Sequence, residues 1–192
     1  VLVIADASAR ADWIAADLLS QAEHDPVAQA ILITDSATLA DSVADWVQRL
    51  LPRLETEEAA RESWEGYGAI IQVADMAEVP ALADALAAEH VELMVADPAP
   101  LFGAIRHAGS MFLGAHTPEP IGDYIGGPNH VLPTGRRARF SGGLGVHSFM
   151  KRTTWLEAGP RGFDALADAT ATLADAEGLA AHALSVRIRR EG

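Results

Sequence analysis

Five short apolar runs constrain this chain more than any other feature: VLVIAD at 1–6, AILITD at 30–35, AIIQV at 69–73, VELMV at 91–95 and SMFLG at 110–114. Their apolar residues are nearly continuous instead of alternating with polar ones, so both faces of each strand must be covered. A parallel sheet flanked by helices provides that cover. The intervening stretches read as helices. ADWIAADLLSQAEH carries Ile14, Leu18 and Gln21 at helical spacing and is stopped by Asp25-Pro26. SATLADSVADWVQRLLPRL has Ser36 as its cap and Pro52 at its exit. MAEVPALADALAAEH follows the third strand, and DPAPLFGAIRHAG joins the fourth to the fifth. Alternation of this kind predicts an α/β fold with a parallel sheet.

From Thr117 to Gly145 the chain turns rich in glycine and proline, which marks a long loop of the functional kind. Residues 163 to 190 predict two helices divided near Glu177-Gly178. The expected organisation is an α/β domain over 1–145 and a small helical arm over 146–192. VLVIAD opens with neither methionine nor a leader-like segment, so the chain reads as a fragment of a longer protein.

The net charge of −13 argues against nucleic acid as a partner, because a backbone binder needs a basic face. No run of 18 apolar residues occurs, which gives no membrane span. The absence of cysteine rules out thiolate metal sites and disulfides and suits a reducing compartment such as the cytoplasm.

Four places carry residues fit for chemistry. Gln21 and His24 lie three apart on a helix and share a face, a spacing that suits two metal ligands and equally a helix end whose histidine settles on the last carbonyls. Glu89 and His90 sit where a helix hands over to a strand, as a possible acid–base pair or a plain polar helix end. In a parallel sheet His24 and Glu89-His90 share the amino rim of the strands, opposite the rim where ligands usually bind in open α/β sheets. The segment TPEPIGDYIGGPNHVLPTG places Asp123 and His130 in backbone loosened by glycine and stiffened by proline. The eight residues 115–122 span at most roughly 26–29 Å, and a five-residue strand is about 17 Å long, so Asp123 can reach back to the rim of His24. Glu177 and His182 lie five apart in the arm and do not quite share a helix face. No glycine-rich phosphate loop and no serine-nucleophile elbow is present.

The blocks DWIAADLLSQAEHDPVAQAILIT, AAEHVEL, AGSMFLGAHTPEPIGDYIGGPNHVLPTGRRARFSGGLGVHSFMKRT and EGLAAHALSVR together resemble the histidinol dehydrogenase family, in order and spacing, along the whole chain. GDYIGGPNHVLPT is the most specific of them. The resemblance implies an incomplete Rossmann-like sheet and oxidation of L-histidinol to L-histidine through the aldehyde, with two NAD and zinc. It implies Gln21, His24, Asp123 and His182 as metal ligands and Glu89 and His90 as the catalytic pair. The substrate would touch Gln21, His24, His90, Asp123, His130, Glu177 and His182. It further implies a homodimer in which the C-terminal arm crosses to the partner, so that Glu177 and His182 complete the neighbour's site.

One departure stands out: AAEHVEL has Ala88 where the family usually has proline, which changes local rigidity and no reacting group. Val1 corresponds to a point about halfway along the family's chain. Most NAD-contacting residues therefore belong to the other half, and this chain alone is expected to be inactive. The alternative is a truncated relative kept as a non-catalytic metal- or ligand-binding dimer.

Overall fold

A computed structural model describes residues 1–190, which divide into two compact units, Val1–Phe149 and a second that begins at Met150. This division falls slightly beyond the boundary expected from the sequence.

The first unit holds five strands, β1 (Leu2–Ala5), β2 (Ile31–Thr34), β3 (Ala69–Gln72), β4 (His90–Met94) and β5 (Ser110–Leu113). All are parallel, in the order β3-β2-β1-β4-β5. The predicted α/β fold is therefore the observed one. Chain direction across the sheet reverses at β1, so the topological switch point lies between β1 and β4.

Side chains alternate along each strand and so build two cores. On one face Val1, Val3, Ala5 and Leu32 pack with α1 (Ala11–Ala22), α2 (Ala37–Leu50) and α3 (Glu57–Tyr67) through Ile14, Leu18, Val43, Val47 and Ala60. On the other, Leu2, Ile4, Ile33, Val91 and Leu93 pack with α4 (Val79–Leu86) and α5 (Ala99–Ala104) through Val79, Ala83 and Leu101. Ser36 caps α2 by accepting the Leu39 N–H at 3.2 Å, and Pro52 lies in the short 3-10 turn that ends it, as expected. Ala87 closes α4 in the left-handed region at φ 47° and turns the chain sharply into β4.

Three elements were not anticipated. The helix α3 is rich in acids and buries little more than Ala60 and Ser63, whose hydroxyl donates to the Ala28 carbonyl at 3.0 Å. The β4–β5 connection contains α5, and the glycine- and proline-rich segment contains α6 (Glu119–Tyr124). Gly122 lets α6 lie against β5: a Cβ there would stand 2.3 Å from Phe112 Cε1.

The second unit contains α7 (Pro160–Ala176) and α8 (Ala180–Arg187). Gly178 separates them at φ 74°, a conformation that favours glycine. Ala167, Ala171, Ala174 and Ala183 are buried, and Arg187 pairs with Asp175 between the helices. Among the described residues no helix is long and apolar enough to cross a membrane.

Candidate active site

The amino rim of the sheet gathers most of the residues singled out from the sequence. Gln21, in the last turn of α1, accepts a hydrogen bond from the Val1 nitrogen through Oε1 at 2.8 Å. Together with Glu89 it lines a cavity of about 360 Å³, whose wall includes Gln29 and the returning loop at Thr134 and Arg136. Arg136 fastens that loop by donating to the Ala85 carbonyl at the end of α4. His24 is exposed just beyond α1 and lies near enough to influence the charge of both Glu89 and His90.

His90 opens β4 with its side chain turned to the α1 face and is only 5% exposed. Its ring lies between two carboxyl groups: Nδ1 is 3.5 Å from Glu119 Oε1, and Nε2 is 3.6 Å from Asp123 Oδ1. Asp123 sits on α6, after β5, so the segment does return to the rim of β4. His90, Glu119 and Asp123 form a cluster whose ligand-capable atoms lie within 4.8 Å of one another. This set shares only Asp123 with the ligand set that the resemblance implies.

Burial dominates the electrostatics. It pushes the His90 pKa down to about 4, against the attraction of Asp123. It raises Glu89, with the Asp123 charge adding in the same direction. It also raises Glu119 to about 7. Glu92, two residues along β4 on the same face, is 1% exposed and is raised to about 8, first by burial and then by Asp17 of α1. Asp17 itself rises to about 6 through burial. One Glu92 oxygen accepts the Glu119 N–H at 2.7 Å, and the other meets no donor. The Asp17 carboxyl lies near enough for its charge to raise Glu92 further.

Glu92, Glu119 and Asp17 escaped sequence reasoning. Glu119 stands between prolines and reads as turn chemistry, whereas Glu92 could have been found as an acid within a strand that must be covered on both faces. His130 is exposed on the loop after α6. Glu177 and His182 are exposed in the second unit, at the end of α7 and within α8.

The opposite rim is built differently. A crevice of about 620 Å³ opens at the switch point, lined mainly by apolar residues such as Met76, Pro80, Val95 and Leu101. Asp6 closes its polar part: Oδ1 accepts the Ser8 N–H at 2.9 Å and Oδ2 accepts the Ala96 N–H at 2.8 Å, linking the ends of β1 and β4. Although burial opposes it, these bonds hold the Asp6 carboxyl below its usual range. Asp6 thus engages two backbone donors, those of Ser8 and Ala96, at this rim.

Fold and site thus define an α/β protein with a buried imidazole set among carboxyl groups on the unusual rim of its sheet. The sequence profile of histidinol dehydrogenase matches residues 1–190, and the chain belongs to that family of oxidoreductases. It is 58% identical over 186 residues to histidinol dehydrogenase of Zymomonas mobilis, covering 97% of this chain and 43% of that protein. It is 59% identical over 189 residues to that of Nitrobacter winogradskyi, covering 98% and 44%. The crystal structure of histidinol dehydrogenase from Elizabethkingia anophelis superposes with a TM-score of 0.90 at 33% identity, over 99% of this chain and 44% of that one. The chain therefore spans less than half the length of the relatives it matches.

Proposed function

We propose that this chain supplies the acid–base and metal-binding part of a zinc-dependent histidinol dehydrogenase that oxidises L-histidinol to L-histidine through the aldehyde with two NAD. The placement of Asp123 beside His90, on the rim that also carries Gln21, His24 and Glu89, carries this reading. Residues distant in sequence meet where the family's chemistry needs an imidazole next to a metal-capable carboxylate.

The donor chemistry fits a metal. An amide oxygen from Gln21, imidazoles from His24 and His182 and the Asp123 carboxylate make a mixed N/O set suited to zinc. When bound, zinc serves as a template that orients the substrate. His90, kept neutral by its burial, is free to take the alcohol proton as general base. Glu89, raised by burial, is a better base than a free carboxylate and activates the water that hydrates the aldehyde. His130, Glu177 and His182 complete the substrate contacts, the last two from the arm of a second protomer.

NAD does not fit this chain by itself. It has no glycine-rich turn, and Asp6 occupies the backbone donor at Ala96 in the switch-point crevice. Binding and presenting the nicotinamide belongs to the remainder of the enzyme, and the isolated chain is inactive on that account. Large exposed apolar side chains, among them Ile125, Phe140, Phe149, Trp155 and Leu156, support burial against further protein. The absence of cysteine favours a cytoplasmic home.

The test is NADH formation from L-histidinol by the full-length enzyme before and after chelation, with zinc content measured in parallel. Activity should vanish with the metal and return with zinc, and Asp123→Ala should bind less zinc. Undiminished NADH formation by metal-stripped enzyme would sink the proposal.

A further inference from the structure

Three acids remain without a part in the reaction: Asp17, Glu92 and Glu119. They connect to His90 in sequence of contact. Asp17 lies beside Glu92 closely enough to influence its charge, Glu92 Oε1 holds the Glu119 backbone N–H at 2.7 Å, and Glu119 Oε1 faces His90 Nδ1 at 3.5 Å. An imidazole has two nitrogens, and the partner of one decides which of them is free to act as a base. Here Nε2 points to Asp123, on the side of the proposed metal and substrate, and Nδ1 points into the protein toward Glu119.

Glu119 is 4% exposed, and its Oε2 has no donor. Both nitrogens of His90 are likewise buried and without a hydrogen-bond partner at these separations. Buried polar atoms left in this state cost free energy, and a slight rotation of either side chain pairs Nδ1 with the carboxyl group. The Glu119 main chain cannot drift away, because its N–H is anchored on a strand residue of the central sheet.

We propose that Glu119 is a positioning residue for His90: its carboxylate accepts the Nδ1–H and leaves Nε2 as the unprotonated nitrogen facing Asp123, while Glu92 fixes the backbone of Glu119. The arrangement is a carboxylate–imidazole pair in which the acid touches no substrate. Its kinetic consequence rests on the reading of His90 as general base; its structural consequence does not.

Two measurements test it separately. Imidazole 15N resonances of the full-length enzyme at pH 8, assigned through His90→Asn, should show His90 in the Nδ1–H form, and Glu119→Ala should move it toward the Nε2–H form that free imidazole side chains prefer. In the full-length enzyme Glu119→Ala should lower kcat about 10–100-fold with KM for L-histidinol nearly unchanged. If that variant fails to fold, the isosteric Glu119→Gln takes its place in the kinetic comparison. An Nε2–H form in the unaltered enzyme overturns the proposal, as does a variant that raises KM while leaving kcat intact. An enzyme inactive toward L-histidinol would refute the functional reading alone, since the tautomer would still be decided by the resonances.

Discussion

Asp123 and His90 are separated by a strand, a helix and a turn in the chain, yet Asp123 Oδ1 lies 3.6 Å from His90 Nε2. The carboxylate of the proposed ligand set and the imidazole proposed as base are thereby mounted on different elements, α6 and β4. Each can be altered without removing the other.

Replacing His90 by asparagine in the full-length enzyme should lower kcat by about 10²–10⁴-fold, the usual contribution of a positioned general base. Zinc content should stay near normal, because His90 is not in the proposed ligand set. Loss of metal in step with loss of activity would move His90 into the coordination sphere beside Glu119 and Asp123.

Gly122→Ala should destabilise the first unit by about 1–3 kcal/mol, the cost of forcing extra volume into a packed site. The added Cβ would stand 2.3 Å from Phe112 Cε1, and Phe112 is buried. The strain can be relieved by moving α6, which carries Asp123 away from His90. Thermal unfolding measures the first effect, and Phe112→Leu in the same chain should recover part of it.

The buried acids predict a pH dependence of stability with a definite sign. Glu92 rises to about 8 and Glu119 to about 7, so between the unfolded carboxyl range and those values the fold binds more protons than the unfolded chain. Stability therefore falls as pH rises through that window. His90, lowered to about 4, acts oppositely, but only below its ordinary value of 6.5. The melting temperature should accordingly drop between pH 6.5 and 8, although the Val1 amino group, lowered by burial from 8.0 to about 6, opposes part of the fall. Glu92→Gln should flatten that slope. An unchanged slope in the variant would place the excess proton elsewhere.

Mixing tests the crossed arm. A full-length His90→Asn variant and a full-length His182→Asn variant should each be nearly inactive, and co-refolding them should restore activity. A mixed dimer contains one site built wholly from unaltered residues if His182 serves its neighbour's site. No recovery would place His182 in its own chain's site.

Much of the fold was legible because apolar runs in a two-sided parallel sheet leave a strong signal: all five strands and the Ser36 cap fall where the residues indicate. The helix α3 was not, since its acidic sequence has little apolar periodicity and is held chiefly through Ala60 and Ser63. Within the site, Gln21, His24, Glu89 and Asp123 stand out by residue type and location. Glu119 and Glu92 do not, because their significance depends on burial, which the packing of α1 and α6 creates. Spacing along the chain reveals what shares a helix face; it does not reveal which acid lies behind a histidine.

Asp6 gives the two rims different tenancies. By setting its own negative charge across the ends of β1 and β4, the protein fills the berth where related architectures admit phosphate. An incoming anion would meet both repulsion and an already engaged amide. The crevice at that end stays open chiefly to apolar groups, while the cluster of imidazole and carboxyl groups lies at the far end of the strands.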